Sequence, residues 1–212
     1  MQVCLASTSP ARLMLMRQVG IEPRLASPGV DEDAAVAARE AQLGRALTPA
    51  EHVQFLAKEK AKAVAVSLAD DFDGIVIGGD SMFELDGRVY GKPHTPERAA
   101  ERWREMRGRT GILHSGHSVI RVDDGALSRA DATAEARVTF VSDITDDEID
   151  AYVATGEPLA VAGAFTVDSL GGAFIERVEG DPSTVVGMSL STIRRLVREL
   201  GVDWVGLWDL SS

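Results

Sequence analysis

With 212 residues, 45% of them hydrophobic, the chain can bury a substantial core and fits one large domain or a two-lobed single unit. Its 22 Lys and Arg against 33 Asp and Glu give a formal charge of −11, which repels nucleic-acid backbones and anionic lipid and so excludes a nucleic-acid polymer or membrane surface as the expected partner. The single cysteine, Cys4, allows no internal disulfide, and no leader-like or bilayer-length apolar run stands in the sequence, so a soluble protein of the reducing cytoplasm is expected.

The chain opens with a short apolar strand ending near Ala6. Ser9 then suits an N-cap and Pro10 the first helical position, and apolar residues at helical spacing predict a helix over 10–19, stopped by Gly20. A short extended segment follows at 24–27. Val30-Asp31-Glu32-Asp33 reads on its own as a solvated acidic run after a loop. Thr48-Pro49-Ala50-Glu51 is a capping box that opens a helix running through Val53, Leu56, Ala57, Lys60, Ala61 and Val64 to Leu68. Gly74 to Asp80 reads as a short buried strand ending in two glycines and a carboxylate, and Asp86-Gly87 as a hairpin turn. Thr95-Pro96 starts a helix to about Met106. Period-two alternation predicts strands near Leu113 to Val122 and Ala132 to Val141, separated by the turn-rich Asp123-Asp124-Gly125. A second capping box, Thr145-Asp146-Asp147-Glu148, opens a helix that closes near Gly156. Two short strands, near Ala164 to Val167 and Ala173 to Arg177, and an amphipathic helix from Ser189 to Leu200 complete the expectation. Without repeats or linkers, this order implies an α/β fold: one mixed, twisted sheet with flanking helices, shared by two lobes of a single domain over 1–212.

Polar groups gather where strands end and helices begin, the places where α/β folds hold their ligands. The free N–H groups after Ser9, with Arg12 beside them, outline an anion site, although a Ser-Pro helix start is by itself only a cap. Asp80, beside two glycines, suits a metal ligand or a base for water, or simply a turn. Lys60 lies four residues after Leu56, on the apolar face of its helix, while Lys58 and Glu59 point elsewhere; an inward lysine suggests a site, or a stem that snorkels. Gly91-Lys92-Pro93 could present a cation to phosphate and is alone a weak signal. His114 and His117, three apart in a strand, project to opposite faces and cannot chelate one ion. The three tryptophans, Trp103, Trp204 and Trp208, suit packing or a C-terminal interface better than base stacking.

Taken in order, LASTSPAR, VDED, LAKEKA, GGDSM, GKP, AYVATGEP, AGAFTVDSLGG and EGDPSTVVGMSL resemble the Maf (septum formation) family of nucleoside triphosphate pyrophosphatases over nearly the whole chain. The resemblance implies a Maf/ITPase-like fold with a central cleft between two lobes, a divalent cation (Mg2+ or Mn2+), and hydrolysis of a nucleoside triphosphate to monophosphate and pyrophosphate. Carried over by motif, Asp80 looks like the catalytic carboxylate, with Lys60 and Glu32 beside it and Asp80 and Glu32 as metal ligands. Ser7, Arg12 and Lys92 look like the rest of the ring around the triphosphate. The implied role is house-cleaning of the nucleotide pool, in a monomer or a homodimer. A non-catalytic nucleotide-binding regulator of septum formation and a phosphatase releasing orthophosphate are the alternatives, and the inorganic product separates them.

The family's common SPRR, GADT and IQG patterns read Ser9-Pro10-Ala11-Arg12, Gly79-Asp80-Ser81 and Val167-Asp168-Ser169 here. Ala11, Ser81 and Asp168 fall at positions associated in the family with choice of base. Where pyrimidine-selective members carry Gln, an ionised Asp168 can only accept, which suits the adjacent N1–H and N2–H donors of guanine and disfavours O4 of uracil or thymine.

Overall fold

A computed structural model describes residues 1–68 and 72–209. Seven strands form one mixed sheet: β1 (Gln2–Ala6), β2 (Arg24–Leu25), β3 (Gly74–Leu85), β4 (Arg88–Tyr90), β5 (Thr110–Asp123), β6 (Ala126–Phe140) and β7 (Ile175–Gly180). The order is β2-β1-β3-β5-β6-β7, with β4 added on β3. β1 lies parallel to both β2 and β3, whereas the β3–β4 and β6–β7 pairs are antiparallel. The helices are α1 (Pro10–Gln18), α2 (Glu32–Leu43), α3 (Pro49–Leu68), α4 (Pro96–Met106), α5 (Asp146–Ala154), α6 (Pro182–Val186) and α7 (Leu190–Glu199).

The local signals act as expected at most boundaries. Ser9 caps α1 by accepting from the Arg12 N–H, Thr48 and Glu51 form the reciprocal box at α3, and Thr145 and Glu148 do the same at α5. Asp86 and Gly87 turn β3 into β4 with both residues at positive φ, as a two-residue hairpin loop requires.

Several expectations need correction. β3 does not end at its glycines: it runs on to Leu85, so Asp80 stands within a strand. The reason is that Phe83 and Leu85 continue the inward alternation, and β4 pairs with this second half. The strand expected near Ala164 to Val167 is absent; 3-10 turns at Ala162–Ala164 and Leu170–Phe174 occupy the region, with a left-handed Gly163 that breaks any ladder. β7 starts two residues later than the predicted Ala173. Helix α2 had no predicted counterpart, because it buries no residue and therefore carries no apolar stripe.

The chain divides into two compact units. The first comprises Met1–Asp80, Ser115–Ala134 and Gly187–Ser212, and the second Ser81–His114 and Glu135–Val186. In the first, Cys4, Ala6, Ala61, Val64, Val76, Ile120 and Val122 pack α3 onto the sheet. The core of the second is aromatic. Phe83 packs edge-on against Phe140 and Phe165, and the fully buried Trp103 meets Phe140, Tyr152 and Phe174 while its indole N–H donates to the Ala164 carbonyl at 2.7 Å.

Candidate active site

Strand periodicity explains how the first unit assembles its polar cluster. Gly78 and Asp80 share one face of β3, the face covered by α3. A Cβ on Gly78 would lie 2.5 Å from the Ala57 carbonyl, and one on Gly116 of β5 would lie 2.2 Å from that of Val53. Hydrogen at these two positions lets the α3 backbone rest directly on the sheet. Lys60, one turn beyond Leu56 and only 7% exposed, is thereby carried to Asp80, and its Nζ donates to Oδ1 at 2.8 Å.

The same ammonium lies 2.9 Å from Oε1 of Glu32, the first residue of α2. Asp31 accepts from the Ala34 N–H and so caps that helix, which leaves Glu32 to face Lys60. The acidic run is therefore not simply solvated: its first carboxylate is structural and its second belongs to the cluster.

On the other face of β3, a Cβ on Gly79 would stand 3.4 Å from Arg12 Nε. Arg12, in the first turn of α1, donates through Nε to the Gly187 carbonyl at 2.9 Å and through one terminal nitrogen to Ser7 Oγ at 3.3 Å. Ser7 is buried and also accepts from the Ser9 N–H at 3.1 Å. Burial pulls the Arg12 guanidinium down from its ordinary value, and the charges of Asp80 and Glu32 oppose this. Two carboxylates and two cations thus cancel, so the cluster itself holds no surplus charge for an anion.

A profile described as Maf-like protein matches residues 2–200. The chain belongs to the Maf family. It is 60% identical over 211 residues to a nucleoside triphosphate pyrophosphatase of Leifsonia xyli, covering 99% of this chain and 97% of the relative. To the protein of that name in Rhodococcus opacus it is 47% identical over 210 residues, covering 98% and 96%. The Ham1 protein of Staphylococcus aureus, a solved structure, is matched over 67% of this chain and 73% of that one at 12% identity, with a TM-score of 0.36, too distant to carry an inference.

Of the residues singled out in this Maf chain, Ser7, Arg12, Glu32, Lys60 and Asp80 come together in the first unit, with Ala11 partly buried beside Arg12 on α1. Ser81, Lys92 and Asp168 belong to the second. Ser81 follows Asp80 along β3, Lys92 is exposed just past β4, and Asp168 is exposed between the 3-10 turns.

Sequence reading missed the backing of the site. Ser115 Oγ approaches the Asp80 carbonyl at 3.3 Å, and the Gly187 carbonyl holds Arg12. His117, assigned no role from sequence, is a buried support. Its Nε2 accepts from the Ser189 N–H at 2.9 Å, so the proton sits on Nδ1, which donates to the Ala132 carbonyl at 3.2 Å. His114 faces different partners, Glu84 and Glu135, in keeping with the expectation that the two histidines cannot share an ion. Among the described residues no group of three or more His, Cys, Asp or Glu could hold a metal.

Proposed function

We propose that this chain hydrolyses nucleoside triphosphates to the monophosphate and pyrophosphate, with the Glu32–Lys60–Asp80 cluster at the reacting phosphate. The supporting observation is Lys60 Nζ, buried and held 2.8 and 2.9 Å from two carboxylates at a face that only glycines leave open. It is joined by the pyrophosphatase name carried by relatives of up to 60% identity over nearly their whole length.

The donor set suits a hard divalent ion. Magnesium or manganese takes oxygen ligands, keeps several waters and is commonly bound by one or two carboxylates together with substrate phosphates, and Asp80 and Glu32 supply that pair. Bound there, such an ion would offset the triphosphate charge that the electrically balanced cluster leaves unmet. The remaining roles belong to the chain. Asp80, fixed by Lys60, orients the attacking water and accepts its proton. Lys60 offers its ammonium to charge developing on phosphate oxygens, and Arg12, braced by Ser7 and Gly187, binds the phosphates with the N–H groups at the start of α1. Lys92 serves the leaving pyrophosphate.

Ala11, Ser81 and Asp168 select the base, with guanine-type or modified purine nucleotides accepted at least as well as dTTP and UTP, as suits removal of unwanted nucleotides from the pool. The test is a panel of standard and modified triphosphates with magnesium or manganese, each product identified. Pyrophosphate released from the preferred substrate, lost with a chelator and restored by the ion, is expected. Orthophosphate as the inorganic product would make the protein a phosphatase, and tight binding without turnover a regulator. A wild-type preference for dTTP or UTP that Asp168→Gln leaves unchanged would overturn the base assignment.

A further inference from the structure

The segment that replaces the predicted strand in the second unit has no ladder to hold it, yet it converges on one side chain. Glu157, in the 3-10 turn after α5, accepts five hydrogen bonds. Its Oε1 takes the Tyr152 hydroxyl at 2.9 Å, the Gly171 N–H at 3.0 Å and the Thr166 hydroxyl; its Oε2 takes the Ser169 hydroxyl at 2.8 Å and the Leu170 N–H at 3.3 Å.

Four of these donors lie between 166 and 171, on both sides of the exposed Asp168. The segment is also closed sterically: a Cβ on Gly171 would lie 2.5 Å from the Tyr152 hydroxyl, and one on Gly172 would lie 2.7 Å from the Val167 carbonyl. A partly buried carboxylate with four of its five donors drawn from one short stretch is the means by which that stretch keeps a single backbone path.

We propose that Glu157 is a positioning residue for base selection, fixing residues 166–171 so that Asp168 is presented in one orientation; this rests on the reading that Asp168 meets the base. Glu157 touches no substrate. Its loss acts on which nucleotide binds and leaves Glu32, Lys60 and Asp80 in place for the hydrolytic step.

The experiment compares wild type with Glu157→Gln, Ser169→Ala and Asp168→Gln. Amide exchange at Leu170 and Gly171 is measured alongside kcat and KM for each member of the nucleotide panel. Glu157→Gln keeps the volume but confronts the donors with an amide. It is expected to expose both amides, to raise KM for the preferred nucleotide by about tenfold and to level the preference among bases, with kcat within about threefold of wild type. Ser169→Ala, at an exposed position and removing one donor only, is expected to do the same more weakly and guards against a misfolded Gln variant.

Unchanged amide protection in Glu157→Gln would overturn the anchoring whatever the enzyme's activity. If Asp168→Gln shifts the preference and Glu157→Gln does not, positioning by Glu157 falls and the assignment of Asp168 stands. If Asp168→Gln shifts nothing, that assignment falls and takes this proposal with it.

Discussion

Asp80 and Lys60 show why one side chain can matter both to folding and to chemistry. Asp80→Asn removes a charge and almost no volume, so the fold should persist while turnover drops about a hundredfold or more, the lower range for a proton-transfer residue. Steady-state rates beside a circular-dichroism spectrum like that of wild type check this. Lys60→Ala leaves Asp80 and Glu32 facing each other without their ammonium, and it should cost ~1–3 kcal/mol of stability as well as activity. Lys92→Ala, at an exposed position, should lower turnover without the stability loss, with pyrophosphate still the product; denaturant midpoints separate the two lysines. Glu157 gives a pH signature. Burial pushes its carboxyl up, but the hydrogen bonds from Thr166, Ser169, Gly171 and Tyr152 outweigh that and bring it from 4.5 down to about 2. A folded value below the unfolded one means that the contribution is whole above pH 4.5 and is lost as the pH falls toward 2. Stability, read from denaturant unfolding across that window, should fall less steeply with acid in Glu157→Gln than in wild type.

At the scale of the element, the close seating of α3 is the feature to perturb. Gly78→Ala places a methyl against the Ala57 carbonyl and Ala61, so α3 must lift; a destabilisation of ~1–3 kcal/mol and a loss of turnover through the Lys60–Asp80 contact are expected. Gly87→Ala in the β3–β4 turn, where a Cβ meets nothing within 4 Å, makes the comparison: its left-handed φ costs stability without touching Lys60. Elements with a cap and an apolar stripe, α1, α3, α4, α5 and α7, were legible in the sequence because both signals are local. The inward placement of Lys60 was legible for the same reason, from its spacing after Leu56. Helix α2 was not, since none of its residues is buried and it carries no apolar stripe; only Asp31 at its N-cap and the acids of its first turn marked it. The 166–171 segment was also misread, because the β-prone Phe165, Thr166 and Val167 imitate a strand while the donors that fold it answer to Glu157, well outside that window. That Glu32 faces Lys60 is a contact between separate helices, and spacing within a chain does not report such contacts.

For the molecule as a whole, charge and core composition set what it can meet and how it holds together. At a net −11 the chain repels the phosphate backbone, so retention on duplex DNA at ~0.1 M salt should be negligible; a filter-binding measurement checks this. Among the described residues no helix is long and apolar enough to cross a membrane. The aliphatic core of the first unit and the aromatic core of the second divide the fluorophores in a useful way. Trp204 and the half-exposed Trp208 lie in the first unit, and Trp103 alone lies in the second, fully enclosed by Phe140, Tyr152 and Phe174. Replacing Trp204 and Trp208 by Phe would leave a single indole whose emission is short in wavelength and shielded from acrylamide for as long as the aromatic core stays closed. The protein therefore carries a built-in optical gauge of its second unit, which a red shift would read residue by residue against any substitution made there.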